Sequence, residues 1–293
     1  MFPLYSNLNT SNSPVAGRLA YFIQSWSLIT NDPWVCQTIA GYHIKFTQTP
    51  VQVALPPLLP FSERETLAMD NEIKSLQDKG AIHKALMSDK DPGFVSSLFM
   101  VPKKGGGQRP VINLKALNNF AEYSHFKMEG IHMLRDLLRK DDYMVKLALK
   151  DAYFTVPVWI NHQKYLRVLW KDTIWEFACL PFGLASAPRV FTKIMKPVVG
   201  MLRKMGVRLI VYLDDILIMA ESKQLANRHA QLVFSTLKNL GFVVNYEKSV
   251  MISSPVMEFL GFLVDSTTMT LALPRGKVRK IQRECQKALT VFP

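Results

Sequence analysis

The run VRLIVYLDDILIMA, Val207 to Ala220, constrains this chain more than any other stretch. Two apolar runs rich in β-branched residues meet at Asp214 and Asp215, the pattern of a β-hairpin with an acidic corner. Adjacent carboxylates among apolar neighbours raise each other's pKa unless a cation compensates them. Magnesium suits that task, because it takes hard oxygen ligands and keeps positions open for phosphates. Two such ions can hold the attacking and leaving oxygens of a phosphoryl transfer. An Asp-rich turn facing water also accounts for the dipeptide, since Asp favours turns.

The elements around the hairpin alternate irregularly. Ser62 and Glu65 form a capping box ahead of Leu67, Met69, Ile73 and Leu76, and Gly80 ends that helix. Strands are expected at Phe94 to Val101, at PVINL, at Tyr143 to Leu149, across Leu166 to Phe177, around FVVNYE and in MEFLGFLV. Helical spacing is expected from Gly130 to Arg139, from Ala187 to about Met205 and from Lys223 to Leu240. Hairpins without a regular βαβ repeat indicate an α+β fold. Residues 1–60 mix polar turns with proline and read as an extended arm laid on the body.

With 48% hydrophobic and 20% charged residues, the 293-residue chain is a folded protein. Its 36 basic against 23 acidic residues give +13, which favours a polyanionic partner, nucleic acid or an anionic membrane surface. No apolar run reaches the roughly 18 residues that span a bilayer, and MFPLYSNLNTSNSPVAG lacks the layout of a signal peptide. A soluble intracellular chain, cytoplasmic or nuclear, is therefore expected, with no membrane partner. Cys36, Cys179 and Cys285 are far apart and form no CxxC pair, so reduced thiols are expected.

Two further blocks carry chemistry. VPKKGGGQRPVINLKALN sets Lys103, Lys104, Arg109 and Lys115 around a triple glycine with no acid among them. It suits a hairpin gripping a triphosphate, and equally a solvated basic loop. LPFGLASAPRVF turns through Pro181 and Gly183 into a helix with small residues at Ala185, Ser186 and Ala187. Small side chains there admit a base pair or template backbone, and close helix packing explains them as well.

The Lys103–Asn118 block, LKDAYFTVPV, LPFGLASAPRVFTKIM, YLDD, GFVVNYEKS and FLGF occur in the order and spacing of the reverse transcriptase family. The whole resembles retroelement enzymes of the gypsy and DIRS-like groups, and GRLAYFIQSWSLITNDPWVCQTIAGYHIKF resembles the segment ahead of the polymerase in DIRS-like elements. The resemblance implies a right-hand polymerase with an antiparallel palm sheet and packed helices: an arm in residues 1–60, fingers and palm in 61–270, and the start of a truncated thumb in 271–293. It implies an RNA-directed DNA polymerase, a nucleotidyltransferase acting on a primed RNA or DNA template and dNTPs with two Mg2+, in a chain that carries no RNase H domain.

Residue by residue, Asp214 and Asp215 match the metal-binding palm carboxylates. Lys103 and Arg109 match fingers residues that contact the triphosphate, and Asp151 and Ala152 the positions whose backbone amides do so. Tyr153 matches the aromatic gate against a ribose 2′-OH. Phe182 and Gly183 would lie against nucleotide or template, Lys248 near the phosphates, and Phe259, Leu260, Gly261 and Phe262 in the primer grip. In RGKVRKIQRECQKAL, Val278, Ile281, Cys285 and Leu289 share one helical face, flanked by Arg275, Lys277, Arg279, Lys280, Arg283 and Lys287. Arg275, Lys277, Lys280 and Arg283 would follow the phosphates of a duplex, while a solvated basic face is the plainer reading.

One residue departs from the pattern. The family's first palm motif reads Asp-x-x-Asp-Ala-Tyr-Phe, and alignment on KDAYF puts its first, metal-bridging Asp at Ala148. A methyl group cannot ligate magnesium, so a folded palm with a crippled site is expected. A polymerase impaired in this copy and a non-catalytic nucleic-acid-binding relic are the two readings that follow.

Overall fold

A computed structural model describes residues 14–57, 59–86, 93–102 and 108–291. In chain order these form α1 (Ile23–Ser27), α2 (Pro33–Ala40), α3 (Glu63–Asp78), β1 (Ile82–Lys84), β2 (Val95–Pro102), β3 (Gln108–Asn113) and α4 (Lys115–Asn118). Then come α5 (Leu134–Leu137), β4 (Tyr143–Ala148), α6 (Ile160–Gln163), β5 (Arg167–Trp170), β6 (Thr173–Phe177) and α7 (Ala187–Lys204). The remainder is β7 (Arg208–Tyr212), β8 (Asp215–Ala220), α8 (Lys223–Asn239), β9 (Val250–Ser254), β10 (Val256–Phe259), β11 (Phe262–Asp265), β12 (Thr270–Ala272) and α9 (Arg275–Val291). Two compact units result. The first takes the chain up to Phe126, Asp151–Pro197 and Asn239–Val243; the second takes Lys127–Lys150, Val198–Lys238 and the residues from Val244.

The first unit is built on a sheet of order β1-β6-β5-β2-β3, in which β2 and β5 run parallel and the other pairs antiparallel. The capping box is present as read: the Ser62 hydroxyl accepts from the Glu65 N–H and the Glu65 carboxylate accepts from the Ser62 N–H. Met69, Ile73 and Leu76 then form the buried face of α3. The extended arm expected before Ser62 is corrected in part. From Arg18 to Ala40 the chain is a 3-10 turn followed by α1 and α2, because Leu19, Trp26, Val35 and Ile39 recur at helical spacing and reach at most 1% exposure. Asp32 starts α2 by accepting from the N–H groups of Trp34 and Val35, with Pro33 in the first turn. Trp26 Nε1 donates to the Leu240 carbonyl at 3.0 Å, and its ring meets Phe242 edge-on. Beyond α2 the chain does run extended. Tyr42 bridges to Val158, His43 stacks on Trp159 with ring centres 4.1 Å apart, and the Ile44 N–H donates to Nδ1 of His162 at 3.0 Å.

The second unit has an antiparallel sheet of order β7-β8-β4-β9 and a smaller sheet of order β10-β11-β12. Met144, Ile210, Leu217 and Met219 of the larger sheet form one apolar cluster with Leu134, Met257, Phe259 and Val264. The edge strand β7 is blunted by side chains. Glu129 accepts from the Val211 N–H at 2.9 Å, and Arg203 donates to both Glu129 and the Leu209 carbonyl. Asp142, fully buried, receives both terminal nitrogens of Arg208 and the Arg139 N–H, while its carbonyl accepts from Ser266. That single residue ties together the approach to β4 and the start of β7 through its carboxylate, and the end of β11 through its carbonyl.

Two expectations are corrected here. The helix expected over Gly130 to Arg139 is a 3-10 turn at Ile131–Met133 followed by the four residues of α5. FVVNYE is not a strand; Val244 makes one isolated bridge to Leu149, and Asn245 then accepts from the Lys248 and Ser249 N–H groups in a turn. In α9 the face of Val278, Ile281, Cys285 and Leu289 is not packed away, since Ile281 is 51% and Leu289 74% exposed.

Replacing Asp142 by Ala leaves the half-buried Arg208 guanidinium with only the Leu137 carbonyl and the more distant Glu221, and the expected loss is about 2–3 kcal/mol, read as a lower urea midpoint at unchanged m-value. The pH dependence has a defined sign at His162, whose pKa burial, then His43 and Lys164, hold below the ordinary 6.5. The unfolded chain takes up its proton first, so stability is lost as pH falls below about 6.5. The melting temperature should drop between pH 7.5 and 5.5, and less so in His162→Asn.

Candidate functional site

The acidic corner is a two-residue turn. Tyr212 pairs with Asp215, leaving Leu213 and Asp214 between the strands, and Leu213 takes the left-handed conformation at φ +53°. A leucine held there costs about 1–2 kcal/mol, which the pairing on either side sustains. Asp215 therefore opens β8 and stands directly opposite Ala148, the last residue of β4. The Leu149 N–H donates to the Asp214 carbonyl at 2.8 Å, closing the corner.

Ala148 is held on both backbone atoms. Its N–H donates to Ser249 Oγ at 3.0 Å, its carbonyl accepts from the Asn245 N–H at 2.7 Å, and Ser249 Oγ donates onward to the Asn245 carbonyl. The residue is 1% exposed. Lys146, two residues earlier and so on the same face, sets its Nζ 3.6 Å from Asp215 Oδ1. Desolvation, then the Asp215 charge, holds the Asp214 carboxyl above the usual carboxylate range, and Lys248 and Lys146 pull against that rise. Because Asp214 as a residue is exposed, water screens part of this effect.

Of the candidates read in the sequence, the second unit thus brings Asp214, Asp215 and Ala148 together, with Lys248 within electrostatic reach. Among the described residues no three His, Cys, Asp or Glu side chains are grouped closely enough to hold a metal ion. Two carboxylates, one of them facing an ammonium, do not make the donor set of a two-metal centre.

The first unit holds most of the residues assigned to the nucleotide. Asp151, left-handed at φ +50°, starts the 3-10 turn Ala152–Thr155. Its Oδ1 pairs with Lys79 Nζ at 3.1 Å, while its buried Oδ2 has no hydrogen-bond partner among the described residues. Tyr153 is 8% exposed, with its ring 5.0 Å from that of Phe182 and 5.6 Å from that of Phe191, and Phe182 is half exposed. Gly183 sits at φ +93°, a conformation that favours glycine. Its loop is clamped by Asn118, which donates to the Gly183 carbonyl at 2.9 Å and accepts from the Ala185 N–H at 2.8 Å. Arg109 lies opposite Val101 in the β2–β3 hairpin. Lys103 and Lys104 lie outside the described residues, as does the Arg109 side chain. Cys179 is buried, and burial pushes its thiol pKa up, so it is inert.

Phe259 to Phe262 form the β10–β11 turn, with Leu260 at φ +49° and Gly261 at φ +78°. Lys277 Nζ donates to the Gly261 carbonyl at 2.8 Å, so this cation is engaged by the turn, whereas Arg275, Lys280 and Arg283 are exposed on α9. Asn118, Lys79, Ser249 and Lys146 were not singled out in the sequence. For Lys146 the signal was there: two residues before Ala148 in a strand means a shared face.

Residues 101–264 match the family model described as reverse transcriptase (RNA-dependent DNA polymerase), more than half of the chain, so the chain belongs to the reverse transcriptase family. It is 26% identical over 242 residues to the transposon Tf2-3 polyprotein of Schizosaccharomyces pombe and 25% to the Tf2-7 polyprotein, each alignment covering 82% of this chain and 18% of the polyprotein. The chain thus spans less than a fifth of the polyproteins it matches, and the likeness agrees with a gypsy-like retrotransposon origin. Among solved structures it resembles the foamy viral protease-reverse transcriptase in complex with RNA/DNA hybrid, with TM-score 0.70 at 21% identity over 86% of this chain and 33% of that one. The same enzyme in complex with dsDNA gives TM-score 0.69 at 22% identity over 85% and 52%. The fold is accordingly the α+β right-hand polymerase fold with its antiparallel sheet. Among the described residues no helix is long and apolar enough to cross a membrane.

The Asn118 clamp is open to a direct check. Asn118→Ala removes two hydrogen bonds, at about 1 kcal/mol each, and should expose the 180–186 loop to faster amide exchange or proteolysis while Asn118→Asp retains the acceptor half.

Proposed function

We propose that this chain is the reverse transcriptase domain of a retrotransposon polyprotein, built for template-directed polymerisation of dNTPs on a primed RNA or DNA template and impaired in this copy by Ala148. The observation that carries the reading is the β4–β8 register, which sets the Ala148 methyl opposite Asp215 and one turn residue from Asp214. A carboxylate at that position would share a face with Asp215, and the family's two-metal chemistry needs it there. Asp214 and Asp215 are the Mg2+ carboxylates in this reading, and Mg2+ would lower the barrier to attack of a primer hydroxyl on the triphosphate. With two donors instead of three that centre is incomplete.

The other assignments follow the same reading. Lys103, Arg109 and the backbone at Asp151 and Ala152 receive the triphosphate, and Tyr153, packed on Phe182 and Phe191, supplies a rigid wall against a ribose 2′-OH. Phe182 and Gly183 face nucleotide or template, Lys248 lies near the phosphates, and the Phe259–Phe262 turn grips the primer. Arg275, Lys277, Lys280 and Arg283 follow the duplex backbone. Fingers and palm occupy residues 61–270, the thumb starts within 271–293, and residues 1–60 form the arm of a gypsy or DIRS-like element. Cytoplasm or nucleus is the compartment of such a domain.

A second reading, a nucleic-acid-binding relic without turnover, is favoured by Ala148 together with the exposed cations of α9. Primer extension decides between them. Ala148→Asp should extend a primer on the order of a thousandfold faster than the unaltered chain, from several kcal/mol of restored stabilisation. Equal rates in both would sink the role given to Ala148. Duplex binding that weakens steeply with salt, with no extension by either protein, would leave the relic.

A further inference from the structure

The face of β4 and β8 that carries Ala148 and Asp215 continues, two residues along each strand, with Lys146 opposite Leu217 and then Met144 opposite Met219. Met144, Leu217 and Met219 are fully buried members of the apolar cluster. Lys146 stands between that cluster and the acidic turn, its side chain retaining 19% of its exposure and that of Asp215 30%. A lysine stem tolerates such a place, but its ammonium needs a partner there. At 3.6 Å the contact with Asp215 is longer than a good hydrogen bond, so it is Coulombic and yields to a stronger ligand. The carboxylate pair in turn needs positive charge, and the family's third donor position is a methyl group. Lys248 acts on Asp214 more strongly than Lys146 does, but it is exposed and, unlike Lys146, makes no ion pair with Asp215.

We propose that Lys146 is the built-in counter-ion of the Asp214–Asp215 pair, so that this acidic turn is balanced by the protein's own ammonium and a divalent cation must displace Lys146 from Asp215 to bind. The inference rests on the reading of Asp214 and Asp215 as the family's metal carboxylates. Lys146 acts through Asp215 and is a positioning residue, not a catalytic one.

Binding of Mn2+ to the full chain, measured by calorimetry or by electron paramagnetic resonance, tests it without recourse to activity. Lys146→Met should bind Mn2+ at least tenfold more tightly than the unaltered chain, melt at a lower temperature in EDTA and recover with Mn2+, whereas Lys146→Arg should behave as the parent does. Equal Mn2+ affinity in the parent and Lys146→Met, or an unchanged melting temperature in EDTA, overturns the proposal. If Lys146→Met does not fold, adding Asp215→Asn should restore folding, because the charge that needed balancing is gone; a double variant that still fails to fold also overturns it. The two readings fail separately. Ala148→Asp that stays inactive while Lys146→Met gains Mn2+ affinity refutes the polymerase reading and supports the counter-ion, and the opposite pair of results refutes the counter-ion alone.

Discussion

Strand β4 runs inside its sheet with β8 on one side and β9 on the other, and its continuous pairing with β8 from Tyr143 to Ala148 sets the geometry on which the second unit depends. A slip of one residue would turn Lys146 and Ala148 to the opposite face and Leu147 toward the acidic turn. The register is secured at both ends. The buried Asp142–Arg208 pair anchors the entry of β4 against the start of β7, and the hydrogen bonds of Ala148 with Asn245 and Ser249 anchor its exit. Between them the apolar cluster around Met144 and Leu217 makes any slip expensive in buried surface.

In the proposed reading, an alanine in place of a carboxylate at position 148 is gentle on the fold and severe on the chemistry. Ala148 is almost fully buried, and an unpaired aspartate there would add a third negative charge beside Asp214 and Asp215. The sheet therefore accepts the methyl without strain while its acidic turn is left with two donors. Lys146 stands where a cation is wanted, and its charge comes from the chain itself.

Much of the architecture was legible in the residues. The Ser62–Glu65 capping box, the YLDD hairpin and the α7 and α8 helices all came from short-range signals, namely hydrogen-bonding side chains at fixed offsets and apolar periodicity. What was not legible depends on partners far along the chain. Residues 18–40 read as an arm because their apolar stripe is short, and they fold as helices because Leu19 and Trp26 are buried, Trp26 against Leu240 and Phe242. FVVNYE has the composition of a strand, yet Asn245 turns the chain to hold Ala148 and Ser249. Asn118 lies in sequence next to an unremarkable helix end, and its clamp on Gly183 and Ala185 spans more than sixty residues.

The sequence by itself determined the family, the α+β class, the acidic hairpin and the absence of a donor at position 148, because each is a matter of residue identity at fixed spacing. Only the tertiary structure decided that Ala148 faces Asp215 across β4 and β8, that Lys146 reaches the same carboxylate, and that Lys277 is engaged by the Gly261 turn. The reason is physical: strand pairing and charge placement join residues distant along the chain, and which of them meet depends on a register that only the packed apolar cluster and buried ion pair can hold.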